Sequence, residues 1–301
     1  MPMIAKFLDY ITIERRYSRL TAEAYERDLR EFCTFLGADP AAFDPALVSE
    51  ADIKEWMIGM LDGGISPRSV CRKLSTLRSF WKYLLRIGYV RSDVTRRIIP
   101  PKTDKPLPVF FRESEMEREH EAAQAADDFV SVRDSLVIEM LYQTGMRQAE
   151  LLSLTDAGID RRAASVRVFG KRSKERIIPV GDALLEQILQ YQQWRDHEWG
   201  IVPDRPLLLD DKGRPLSKKQ LYNIVRARMG EVSSLRKQSP HVLRHTFATT
   251  MLDHGAGINT IKELLGHANL AATQVYTHTT FEQVKREYRK AHPRAKRRPD
   301  S

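Results

Sequence analysis

The chain has 301 residues, 42% apolar and 30% charged, with 49 Lys and Arg against 40 Asp and Glu for a net charge of +9. That length suggests about two domains, and that composition excludes wholesale disorder. No run approaches the ~18 apolar residues of a membrane span, residues 1–10 hold no apolar stretch of a secretory signal, and two cysteines, Cys33 and Cys71, exclude a disulfide scaffold. A reducing, cytoplasmic setting is the expectation that follows.

In chain order, Thr21–Leu36 carries Tyr25, Leu29, Phe32 and Leu36 at helical spacing and stops at Gly37. A short helix is predicted near Glu50–Leu61, ended by Gly63-Gly64. Ser66-Pro67 then supplies an N-cap and a proline at the first helical position, opening a helix that runs to Gly88. Its apolar stripe is Val70, Leu74, Leu77, Trp81 and Leu84, while Arg72, Ser75, Ser79, Lys82 and Arg86 share another face. Small hydroxyls among long cations, with no acid in the helix, suit close approach to DNA; a solvated basic surface is the plain alternative. Residues 65–102 hold ten basic side chains against one acid, Asp93, a balance of +9 that equals the net charge of the whole chain. Residues 161–176 add seven bases against Glu175. Such clustering is what release of counterions from a phosphate backbone rewards.

Four prolines between Pro100 and Pro108 predict an extended connector. The expected division is a helical domain over 1–99, a linker over 100–108, a second domain over 109–291 and a frayed basic tail over 292–301. In the second domain, helices are predicted at Glu113–Gln124 and Phe129–Thr144, with Gly145 in the left-handed position that ends the latter. Ser165–Phe169 and Arg176–Val180 read as a hairpin around a Gly170–Glu175 turn. Further helices are predicted at about 182–198, 217–229, 241–253, 258–265 and 280–291. In the last, Phe281, Val284 and Tyr288 form an apolar stripe too short to be stable alone in water, so it must dock on something.

Five segments of the second domain can carry chemistry: Thr144–Leu151 with Arg147 and Glu150, Gly170-Lys171, His241-Val-Leu-Arg244-His245, Leu265-Gly-His267, and Val275-Tyr276-Thr-His278. Singly, each has an ordinary use. Arg147 could cap a helix, Lys171 could be a turn lysine, and Tyr276 could be a half-buried aromatic with a wet hydroxyl. His241 and His245 stand four apart on a helix, as zinc ligands can, but the intervening Val, Leu and Arg supply no HExxH, and the guanidinium would oppose a divalent cation.

Together, Arg, Lys, His-x-x-Arg, His and Tyr in this order resemble the tyrosine recombinase (phage-integrase-like) family, and nearly the whole chain is similar to its Xer-type (XerC- and XerD-like) members. The resemblance implies a mainly α fold: a helical N-terminal core-binding (SAM-like) domain, then a mostly α catalytic domain with a small antiparallel β-sheet. It implies that Tyr276 is the nucleophile, Arg147 and Arg244 clamp the phosphate, His241 takes or orients the tyrosine proton, His267 adds a donor, Lys171 is the general acid and Glu150 supports the site. Arg172 and Lys174 in the hairpin, with the basic helix face, would bind DNA. Gly-Met-Arg-Gln-Ala-Glu stands where Gly-Leu-Arg-Xaa-Ser-Glu is usual, a mild departure. The implied activity is site-specific cutting and rejoining of DNA through a 3′-phosphotyrosyl intermediate and a four-way junction, with resolution of chromosome dimers as its use. An integrase of a mobile element and a type IB topoisomerase share this chemistry and are the alternatives. Because the tyrosyl ester stores the bond energy, neither metal nor ATP is expected as a cofactor. The implied partners are duplex DNA with two half-sites, a second Xer-type recombinase or further copies of this chain in a tetramer, and a DNA translocase. The resemblance further suggests that the segment after Tyr276 docks on a neighbouring protomer rather than on its own domain.

Overall fold

The computed structural model describes residues 2–103, 109–123, 128–170, 175–266 and 278–295. The chain divides into two compact units, Met1–Pro106 and Leu107–Ser301.

The first unit is helical: α1 (Met3–Asp9), continued by a π-helical turn over Tyr10–Glu14, then α2 (Arg19–Phe35), α3 (Glu50–Asp62) and α4 (Pro67–Arg86). Ser18, Ser49 and Ser66 cap α2, α3 and α4, each accepting a backbone N–H of the first turn, a contact worth about 1 kcal/mol. The predicted stripe of α4 is the core: Val70, Leu74, Leu77, Trp81 and Leu84 are fully buried against Phe7, Leu29 and Phe32.

The second unit is built around α6 (Phe129–Thr144), whose side chains from Val132 to Thr144 are buried except for half-buried Asp134. Around it stand α5 (Glu113–Ala123), the short α7 (Gln148–Leu152), a three-stranded sheet, α8 (Asp182–Trp199), α9 (Lys218–Val232), α10 (Pro240–Asp253), α11 (Ile258–Leu265) and α12 (His278–Ala291). The sheet has β1 (Ile159–Asp160), β2 (Ser165–Phe169) and β3 (Glu175–Pro179) in antiparallel order β1-β2-β3, with Val168 opposite Arg176. The mainly α fold with a small antiparallel sheet is the one the sequence implies. The turn 171–174 lies outside the described residues.

At the C-terminus the single chain differs from expectation in two places. The stripe of α12 is not left uncovered in the single chain: Val284 and Tyr288 are 3% and 0% exposed within the core of their own unit, alongside Ala291. Nor does the chain fray at residue 292. His292 is wholly buried, stacked on Tyr288 and Phe247, and a 3₁₀ turn over Pro293–Ala295 follows it. Arg294 reaches between α5 and α6, pairing with Glu139 and donating to the Met116 carbonyl at 2.5 Å. The physical reason is local: a basic sequence reads as solvated, but Glu139 and Glu119 are 0% and 1% exposed, and buried carboxylates recruit a cation.

Candidate active site

The site begins where α6 ends. Gly145 takes φ +58°, and a Cβ there would stand 2.3 Å from the Phe247 ring of α10, so only glycine permits the turn at this approach. Two residues later Arg147 occupies the N-cap position of α7, and Glu150 in the first turn accepts the Arg147 backbone N–H at 2.7 Å. The same carboxylate accepts Arg147 Nη1 at 2.9 Å and both Nη atoms of Arg176 at 2.7 Å. Glu150 and Arg176 are both buried. Burial pushes the Glu150 carboxyl up, but the bonds from Arg176 and Arg147 outweigh it and hold it at about 2.

A second set of contacts gathers the arginines at the C-terminal end of α11, whose last carbonyls have no partner within the helix. Arg176 Nε donates to Leu264 O at 2.9 Å, Arg244 Nη2 to Leu265 O at 2.5 Å, and Arg147 Nη2 to Gly266 O at 3.4 Å. Three guanidiniums thus hold three successive carbonyls. Gly266 is left-handed at φ +65°, and a Cβ on it would lie 3.0 Å from Arg176 Nη1. Arg244 also donates to Gly145 O at 2.5 Å, tying the end of α6 to the end of α11. Burial, then the charges of Arg147 and Arg176, bring Arg244 down to about 10, so it stays charged at neutral pH. The cluster sets three cations against one carboxylate. That surplus suits a ligand that gains negative charge, as a phosphodiester does under attack.

His241 lies on α10 three residues before Arg244, and its Nε2 is 3.1 Å from Nε2 of His245. Arg147, Glu150, Arg244 and His241 are therefore supplied by two neighbouring segments. Lys171, Arg172, Lys174, His267 and Tyr276 lie outside the described residues. Arg176 was assigned no role from sequence, although the alternation of β3 buries Arg176 and Ile178 on one side. An arginine at an inward strand position is the signal that a buried acid awaits it.

On α4, Ser75 and Lys82 are exposed. Arg72 is not a free cation: it donates to both oxygens of fully buried Asp28 on α2, at 2.5 and 2.9 Å. Arg86 donates to the Tyr10 hydroxyl at 2.7 Å, and Ser79 is half-buried. The counter-charge that α4 lacks in its own sequence comes from α2.

Residues 110–283 match the phage integrase family, and residues 4–88 match the phage integrase N-terminal SAM-like domain. The tyrosine recombinase XerC of Chlorobaculum parvum is 35% identical over 96% of this chain and 94% of the relative. The tyrosine recombinase XerD of Staphylococcus saprophyticus is 33% identical over 97% of this chain and 99% of the relative. Among solved structures, the XerH site-specific recombinase bound to its difH substrate aligns with a TM-score of 0.70 at 21% identity, covering 94% of this chain and 93% of that one, a likeness of fold. With a family match over more than half its length and relatives above 30% identity along nearly all of it, the chain belongs to the phage integrase family, the tyrosine recombinases.

Proposed function

We propose that this chain is an Xer-type site-specific recombinase that cuts and rejoins duplex DNA without metal or ATP, acting in the cytoplasm on chromosome dimers. The observation that carries the reading is the gathering of Arg147, Arg176 and Arg244 on the last carbonyls of α11. Each terminal guanidinium nitrogen has two N–H groups, so Arg147 and Arg244 keep donors for the non-bridging oxygens of the scissile phosphate. Arg176 is consumed by Glu150 and serves to fix Arg147. His267 would add a third donor.

In the reaction, the Tyr276 hydroxyl attacks phosphorus and passes its proton to His241. The phosphorus–O5′ bond breaks, and Lys171 gives its proton to the departing 5′-oxygen. The products are a 3′-phosphotyrosyl ester and a free 5′-hydroxyl, which can attack in reverse on the same or a partner strand. Four copies, or two of this chain with two of a second recombinase, would assemble on paired sites with cyclic contacts, and a DNA translocase would govern the exchange.

Tyr276→Phe tests the reading. On a nicked suicide substrate the native chain should give a covalent adduct on denaturing gels, and the variant should bind DNA equally but give none. Adduct formation should persist in a metal chelator. An adduct from the phenylalanine variant would remove Tyr276 from its role, and loss of the native adduct with the chelator would overturn the metal-free mechanism.

A further inference from the structure

The turn between β1 and β2 shares a basic cavity with α12 and the start of α8. The cavity holds about 420 Å³ and is lined by Arg161 and Arg162 of the turn, Lys285 and Arg289 of α12, and Asp182 of α8. Among the described residues that sets four cations against one carboxylate. None of the arginine cluster lines it: the turn lies beyond the Ser165–Pro179 end of the sheet, whereas Arg176 pairs with Val168 near the other end. Several contacts build the cavity. Ala164 closes the turn at φ +49°, a left-handed conformation that strains a residue with a side chain, and it is buried there. Lys285 Nζ donates to the Ala163 carbonyl at 2.5 Å, and Arg161 Nη2 to Gln192 Oε1 of α8 at 2.8 Å. At the start of α8, a Cβ on Gly181 would stand 2.8 Å from the Arg294 carbonyl oxygen, so glycine lets the end of the chain close one wall.

The cations gathered here are not spent on the protein. Arg162 and Arg289 are exposed and make no hydrogen bond or ion pair among the described residues. Lys285 and Arg289 stand four apart on α12, where like charges disfavour a helix. An anion in the cavity relieves both costs. We propose that this cavity binds a linear triphosphate, free or as the tail of a nucleotide, and that the bound chain fastens α12 to the β1–β2 turn. Guanidinium forks match phosphate oxygens. The cations stand on two walls, so linked phosphates reach both where a lone phosphate reaches one. The surplus of three positive charges suits several phosphates. No aromatic side chain lines the cavity among the described residues, so nothing there stacks on a base and the phosphates carry the recognition. No bond of the ligand is made or broken, and the inference goes beyond the recombinase reading without resting on it.

The test uses the full chain in magnesium-free buffer, with inorganic triphosphate and ATP as separate probes. Calorimetry should find one site for inorganic triphosphate. ATP within threefold of that affinity makes a nucleotide tail a ligand as well; binding of inorganic triphosphate alone makes the free chain the ligand. Arg162→Ala and Arg289→Ala should each weaken binding at least tenfold with unchanged melting temperatures, since both side chains are exposed. Lys212→Ala, which removes an exposed cation outside the cavity, should bind as the native chain does. Saturating triphosphate should also raise the protection factors of the α12 amides in the native chain and not in Arg162→Ala, although Arg162 lies outside α12. Unchanged affinity in both arginine variants, or an equal loss in Lys212→Ala, overturns the site. ATP binding more than tenfold tighter than inorganic triphosphate overturns recognition through phosphates. Duplex DNA that displaces triphosphate, and itself binds tenfold more weakly to Arg289→Ala, makes the cavity a DNA contact and overturns the proposal. Unmoved α12 protection in the saturated native chain overturns the fastening.

Discussion

At the scale of single residues, the charge balance of the cluster rests on Glu150: without its carboxylate, Arg176 is a buried cation with no counter-charge. Removing one partner of such a pair costs about 3–5 kcal/mol, so Glu150→Gln should lower stability by that order in urea unfolding of the catalytic unit. The pH dependence has a definite sign. The Glu150 carboxyl is held at about 2, below the 4.5 of a free glutamate, so its stabilisation is complete above pH ~4.5 and is lost as pH falls through 2. Arg147→Lys and Arg244→Lys should each slow cleavage at least ~100-fold, about 3 kcal/mol of transition-state stabilisation, because a point charge cannot reproduce paired donors. Single-turnover rates on the nicked substrate check this, and a lysine variant within threefold of native would show that charge alone suffices. Glu150, Arg147 and Arg244 could be found in the sequence because they stand in short ordered motifs. Arg176 could not be assigned: its meaning comes from a partner 26 residues away, which only the folded sheet brings to it.

Among the elements, the long helices were legible because their apolar spacing repeats over several turns. That is why α2, α3, α4 and α6 begin and end within two residues of expectation. Three of the shortest were not. Seven residues of α1, five of α7 and two of β1 hold too few repeats for a period to emerge, and tertiary contacts such as Arg176 on Glu150 hold α7 in place. The face of α4 shows the same limit. Its cations were visible, but the carboxylate that claims Arg72 sits on α2, where Asp28 is buried beside Leu29 and also accepts Thr76 Oγ1 at 2.8 Å. The two cations should therefore separate on mutation. Lys82→Ala should weaken DNA binding and reduce the salt slope by about one, with thermal stability unchanged. Arg72→Ala should also destabilise the first unit by roughly 1–3 kcal/mol, since it strips a buried carboxylate of its bidentate partner. Equal melting temperatures for both variants would show that the Arg72–Asp28 pair is ornamental.

For the molecule as a whole, the end of the chain determines how the second unit is closed. The sequence shows that the α12 stripe must be covered but not by what, because an amphipathic helix reads the same whether its groove belongs to itself or to a neighbour. In this structure the groove is its own, and His292 completes it. Burial holds the His292 imidazole far below its ordinary range, at about 3. In the unfolded chain it titrates near 6.5. Between those values the unfolded state binds a proton that the folded state does not, so stability falls as pH drops below ~6.5, by about 1.4 kcal/mol per pH unit, and levels off near 3. At pH 5 the loss is about 2 kcal/mol relative to pH 7.5. Phenylalanine has the aromatic face that stacks on Tyr288 and Phe247 but takes up no proton. In His292→Phe, the drop in melting temperature between pH 7.5 and pH 5 should therefore shrink, and the protection factors of the α12 amides should fall less on acidification than in the native chain. If α12 left its groove at neutral pH, His292 would be solvated and the two proteins would show the same acid slope. That outcome would return the helix to a neighbouring protomer. A smaller slope in the phenylalanine variant keeps it at home until partners and DNA are present.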